Sequence, residues 1–309
     1  MAKKQRIPDG MPAAVMPERI DEYHRFLSKL AHLGPAEVAA KFGEPRPVLV
    51  APDAAIRNVA DIPVQQVGRV AVVPMAGMIV KSPSFLTRYG YASSTEQFVA
   101  ANQELVGDAS VSAIVWECNS PGGSCSGVQE AASKLMALRG SKPIVAISQY
   151  CMASAAYWLC CAADKIAAAP SSLTGSIGVV KAHLDQSKAN EMAGYKITYI
   201  YAGKYKVEGN PDEPLSDSAK ANAQAIVDDY YSQFVNGVAE ARNVNPKAVR
   251  EGYGQGAVLT SGRSVAAGLA DYVATMDAVL KNLGANSADV KKSNSYQHSQ
   301  ARQRFAESD

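Results

Sequence analysis

Three short blocks of this chain hold groups that together could transfer an acyl group. Cys151-Met-Ala-Ser-Ala-Ala-Tyr-Trp158 sets one serine, Ser154, among small apolar residues directly after an apolar run. About thirty residues earlier, Asn119-Ser-Pro-Gly-Gly123 closes another apolar run. About fifty residues later comes Ala202-Gly-Lys-Tyr-Lys206. A hydroxyl nucleophile, bare backbone amides for an oxyanion and an amine base are the parts that amide hydrolysis needs.

Each block also has a plainer explanation. Ser154 at the start of a helix after a strand would aim its own N–H and that of Ala155 into the crevice at the strand ends, where the helix dipole favours negative charge. Ala153, Ala155 and Ala156 leave room for a substrate. The alternative is an ordinary N-capping serine. Gly122–Gly123 can bring uncovered N–H groups to a carbonyl, or can simply form a Pro-Gly turn. For the base, His183 is the one histidine of the chain's middle, and with Asp185 it would form a Ser-His-Asp set. Residues at i and i+2 seldom line up on one proton path, which leaves a lysine, Lys206 or Lys204. Either serves only in a dry site that keeps the amine uncharged.

The elements that must position these groups read as strand–helix alternation. Arg69–Val80, Val111–Glu117, Pro143–Ser148, Lys165–Ala169, Ser176–Val180 and Tyr195–Tyr201 are the expected strands, the first broken at Pro74 or Gly77. Between them fall helices from a capping box at Ser93–Gln97 to Gly107, and over 124–138, 153–163 and 185–193. Short apolar strands alternating with helices imply an α/β fold with a mostly parallel sheet covered on both faces. Ser216 to Arg242 reads as one helix of about 40 Å, with Val227, Tyr231, Phe234 and Val238 in a stripe suited to packing on the core or on a neighbouring subunit. Val258–Asp271 gives a strand, a turn and a short helix.

The expected organisation is a helical amino-terminal extension (1–65, with helices over 19–33 and 35–42), a catalytic domain (66–284) and a polar, flexible tail (285–309). The chain has 309 residues and a formal net charge of +2, so no broad field draws nucleic acid or an anionic membrane. Its five cysteines form no CxxC pair and no histidine stands at ligand spacing, which argues for reduced, buried thiols and against a metal or other cofactor. The basic start lacks the apolar stretch of a secretory signal, and polar residues interrupt the apolar run 143–163. A cytoplasmic protein without a membrane anchor is the expectation.

Asn119-Ser-Pro-Gly-Gly-Ser124, Met152–Trp158, Thr174-Gly-Ser-Ile-Gly-Val179, Ala202–Lys206 and Leu259-Thr-Ser-Gly-Arg263 occur in order. Together they resemble the signal peptide peptidase A family of serine proteases, over roughly residues 66 to 284. The resemblance implies a crotonase/Clp-protease-like ββα spiral, Ser154 as nucleophile and Lys206 as general base. It also implies Ser176 as the group that orients the lysine, and the N–H groups of Gly123 and Ala155 (with Gly122 the other candidate) as the oxyanion hole. Ala155-Ala156 stands where the family usually has Gly-Gly. The missing anchor, the extension and the tail look like the phage or prophage head-maturation branch. That branch implies capsid and scaffold proteins as substrates, a homo-oligomeric ring and a place in the bacterial host cytoplasm or inside the procapsid. The rival readings are a bacterial signal-peptide-remnant peptidase, a crotonase-like acyl-CoA enzyme and a non-catalytic capsid scaffold.

Overall fold

The β-branched apolar runs fold as strands of one sheet. In the computed structural model the described residues are 13–15, 55–88 and 90–286. In chain order they form β1 (Ala13–Val15), β2 (Ala55–Val59), β3 (Ile62–Val67), β4 (Val70–Val80), α1 (Phe85–Arg88), β5 (Ala92–Ser94), α2 (Thr95–Gly107) and β6 (Ala113–Ser124). There follow α3 (Val128–Met136), β7 (Ile144–Ala153), α4 (Ala155–Cys160), β8 (Lys165–Ala168), β9 (Leu173–Gly175) and α5 (Ser187–Met192). The last elements are α6 (Asp217–Arg242), α7 (Pro246–Gly252), β10 (Val258–Thr260), α8 (Ser261–Ala266), β11 (Tyr272–Val273) and α9 (Met276–Asn282). This is the expected α/β fold with a mostly parallel sheet.

Three long strands, β4, β6 and β7, make the centre and pair in parallel. Each changes partner along one edge. β4 pairs first with β3 and then with β5, while β7 pairs first with β8 and then with β9. The edge of β6 that carries β7 as far as Met152 carries β1 beyond it, because β4 holds the other edge through Ile79 opposite Gly123. The carboxyl ends of the three strands therefore trade partners, and β1, β5 and β9 gather there.

Period-two alternation along β6 divides the core. Ile114, Trp116 and Cys118 pack with the residues of α2, α3, α4 and α6, whereas Ala113 and Val115 pack on α9. On the helix side, Trp116 meets Phe98 edge-on at 5.4 Å and donates its indole N–H to Asn102 at 2.6 Å. Trp158 of α4 stacks on Phe234 of α6 at 4.8 Å. A Cβ at Gly237 would lie 2.4 Å from the Trp158 indole nitrogen, so α6 approaches as closely as a glycine allows. Arg139 donates to the carbonyls of Cys161, Ala162, Ala163 and Ala241, tying the ends of α4 and α6 together.

Several expectations change. Asn119–Gly123 is no terminal turn: β6 runs on through Ser124 with a register shift after Cys118, since pairing with β4 continues to Gly123. The break in β4 falls between Ala76 and Met78, around Gly77 at φ 68°. Residues 55–67, which straddle the expected domain boundary at 65/66, form a hairpin paired to β4. Its turn uses Ala60 and Asp61 at positive φ. No strand forms over 195–201 despite the alternation of Tyr and Ile. None forms over 176–180 either, where Ser176 at φ 57° breaks the extended chain. The expected helices at 19–42 and the tail beyond 286 lie outside the described residues. No helix among the described residues is long and apolar enough to cross a membrane.

One buried charge stands out. Glu117 on β6 shares the face of Ala113 and Val115, lies in register between Pro74 and Ile147, and its Oε2 is buried without a partner. Burial pushes its acid up to about 7. The folded chain then holds a proton that the unfolded chain releases, so this contribution to stability is present below the ordinary carboxylate range and lost as pH rises through about 7. Glu117→Gln removes the loss. Its melting temperature should pull ahead of wild type as pH is raised from about 5 to 8, by an amount equivalent to a few kcal/mol at the upper end. Parallel melting curves across that range would contradict the assignment.

Candidate active site

The turn from β7 into α4 sets the site. Ser154 stands between the last residue of the strand and the first of the helix, with φ 55° and ψ −123°, a conformation that costs a non-glycine residue about 1–3 kcal/mol. Its N–H donates to Gly175 O at 2.8 Å, so it does not point into the crevice as expected. Its carbonyl accepts from Trp158 N–H at 3.0 Å. Ser154 therefore sits at the N-cap position, but its side chain makes no cap hydrogen bond. The hydroxyl is buried with no partner among the described residues, at a further cost of about 1–3 kcal/mol. A capping serine would have its oxygen on an N–H of the first turn; this one keeps it unused.

β9 holds the elbow from the other side. Met152 and Ala153 pair with Thr174 and Gly175. Gly175 needs φ 129°, and a Cβ there would lie 2.8 Å from Ala257 O. Ser176 follows, buried, with φ 57° and its N–H on Ala257 O at 2.9 Å. The structure thus brings Ser176 beside the Ser154 elbow, one residue beyond the carbonyl that anchors it. The buried, unpartnered hydroxyls of Ser172 and Thr174 are polar groups nearby that the sequence reading assigned no role. A polar residue at an inward position of the short strand β9 was the signal available.

Gly122 and Gly123 reach the same place along β6. Ser120 pairs with Met152, so two residues further Gly122 is level with Ser154. The Gly122 N–H donates to Ser120 Oγ at 3.2 Å, and that hydroxyl donates to Gly77 O at 2.6 Å. A Cβ at Gly123 would lie 2.1 Å from Ile79 O and 2.5 Å from its nitrogen, so only glycine lets β6 lie this close to β4. Ala155, first residue of α4, has an N–H with no acceptor inside its own helix.

Lys206 makes no hydrogen bond to Ser154. It is exposed in a turn, its N–H on Gly203 O at 3.0 Å, and the Ser154 hydroxyl has no hydrogen-bond partner among the described residues. Lys204 is exposed too, its ammonium over the Tyr205 ring at 4.9 Å. Neither is His183 on the serine, and Asp185 instead accepts from Ser187 N–H and Oγ at 2.9 and 2.6 Å. No residue from 178 to 218 is buried. Along that stretch Met192 and Ile200 are 90% and 99% exposed, with Leu184, Tyr195, Ile197, Tyr201 and Tyr205 also open to water. The amino-terminal half of α6 shares this exposure: of the apolar stripe, Phe234 and Val238 are buried, Tyr231 and Val227 only in part.

The chain's residues 136–291 match peptidase family S49, a span that contains Ser154, Ser176 and Lys206. It is 30% identical over 216 residues to "Capsid assembly protease C" of Escherichia phage lambda, covering 70% of this chain and 49% of that protein. It is 31% identical over 206 residues to "Head-tail preconnector protein GP5" of Enterobacteria phage P21, covering 66% and 40%. A putative signal peptide peptidase SppA of Enterococcus faecium is 29% identical over 189 residues, covering 61% and 55%. The chain thus spans half or less of the two phage proteins.

If the elbow is strained as described, Ser154→Gly should raise the melting temperature, by the equivalent of about 1–3 kcal/mol, because glycine takes the positive φ freely and deletes the unpaired hydroxyl. A lowered melting temperature would show that the strain is absent. Gly123→Ala should do the reverse, lowering it by several degrees through the collision with the Ile79 backbone.

Proposed function

The chain belongs to peptidase family S49, and from that premise we propose that it is a serine endopeptidase with Ser154 as nucleophile and Lys206 as general base. The observation that carries this is the buried, unpartnered hydroxyl of Ser154 on its strained elbow. An idle hydroxyl held in a costly backbone conformation is poor architecture for stability and good architecture for attack. The uncharged amine of Lys206 takes the serine proton as oxygen adds to the peptide carbonyl. The N–H groups of Gly123 and Ala155 receive the oxyanion, and the lysine then passes its proton to the leaving amine. Water reverses the sequence to release the acyl group. Ser176, beside the elbow, orients the lysine.

Base catalysis needs a dry amine, and Lys206 is exposed in the single chain. The same segment carries the exposed apolar residues, which supports assembly of copies into a ring as the event that completes the site. The printed name of the lambda relative, a capsid assembly protease, supports capsid proteins as substrates, and the family resemblance adds scaffold proteins cut within an assembling head.

Ser154→Ala should fold and leave co-expressed coat and scaffold proteins uncut, as read by intact mass. Unchanged cleavage would remove the proposal. Ser154→Ala and Lys206→Ala, each inactive alone, should recover part of the activity when mixed if the dyad spans two copies. Activity that stays absent in every mixture, in an assembled sample, places the dyad within one chain.

A further inference from the structure

One strand of the sheet comes from far outside the catalytic region. β1 (Ala13–Val15) pairs antiparallel with the end of β6, Ala13 opposite Ser124, Ala14 opposite Gly123 and Val15 opposite Gly122. The two edges of β6 decide where it lies. One is held by β4 as far as Gly123. The other is held by β7 only to Met152, after which the chain turns through Ser154 into α4 and leaves that edge open. β1 fills the opening. Since Gly122 is level with Ser154, Val15 is level with the nucleophile.

An extended peptide laid on this edge would put its backbone against the glycine amide proposed for the oxyanion and a carbonyl near the serine. Strand addition of this kind takes its affinity from main-chain hydrogen bonds, which any extended sequence can make. We infer that Ala13–Val15 is an intramolecular occupant of the substrate strand site, and that it holds the peptidase closed until a substrate strand displaces it. The inference rests on the peptidase reading and adds its regulation. It also names the substrate form: an extended segment with small residues, as Ala13-Ala14-Val15 are, entering antiparallel to Gly122–Ser124.

The test uses the full chain. In an antiparallel pair neighbouring residues alternate in pointing their N–H at the partner strand, so Ala14→Pro with Val15→Pro must delete one ladder donor. The milder Ala14→Gly with Val15→Gly weakens the strand without proline and guards against a folding defect. With an acetyl-Ala-Ala-Val coumarin amide as substrate, both variants should lower KM, about tenfold for an occupant present nine-tenths of the time, with kcat unchanged. Amide hydrogen exchange across residues 120–126 should quicken in both. Unchanged KM together with unchanged exchange would overturn the inference and leave the peptidase standing. Faster exchange with no cleavage by any variant would instead sink the peptidase reading, and the competition with it.

Discussion

The hydrogen bond from Ser154 N–H to Gly175 O is the interaction on which the rest of this structure turns. It holds a serine at positive φ at the end of β7, with a hydroxyl that has no partner among the described residues. The surrounding elements supply the force that keeps it there. Ladder pairing of Ala153 with Gly175 fixes the strand, the Trp158 stack on Phe234 fixes the helix, and Arg139 binds the carbonyls at the helix end. None of these contacts touches the reacting group. They over-determine its backbone, which is how a folded chain sustains a conformation that a free peptide would abandon.

The central sheet was legible in the sequence because its strands are continuous β-branched runs buried on both faces, from Val70–Val80 to Ile144–Ala153. The cap at Ser94 and the span of α6 were readable for the same reason: their signals are local. What escaped depended on partners distant in sequence. Asn119–Gly123 has turn residues yet stays in a strand, since β4 crowds it and glycine is what that closeness admits. Tyr195–Tyr201 alternates like a strand but joins no ladder among the described residues. The Ala60-Asp61 hairpin carries no glycine to announce it.

At the candidate site, Ser154 and the glycine amides stood out by residue type and spacing, and their neighbourhood follows from the parallel register. The strain at Ser154 could not be read, because positive φ at a serine is imposed by the fold. Neither could the exposure of Lys206, whose block stands in water. Its segment holds internal order through polar contacts, with Tyr199 and Asn190 both on Asp212. Its apolar side chains face outward. That combination suits a surface shaped before it is covered.

The two tryptophans sit in separate places for the purposes of light emission. Trp116 lies against Phe98 under α2, and Trp158 lies against Phe234, four residues after the nucleophile. Both are buried, and the outward segment between 178 and 218 contributes tyrosines but no tryptophan. Indole fluorescence therefore reports on the core and on the seat of the elbow, and is blind to the segment that bears Lys206. The chain carries, without any label, an optical reporter beside Ser154 and none of that kind on the outward segment.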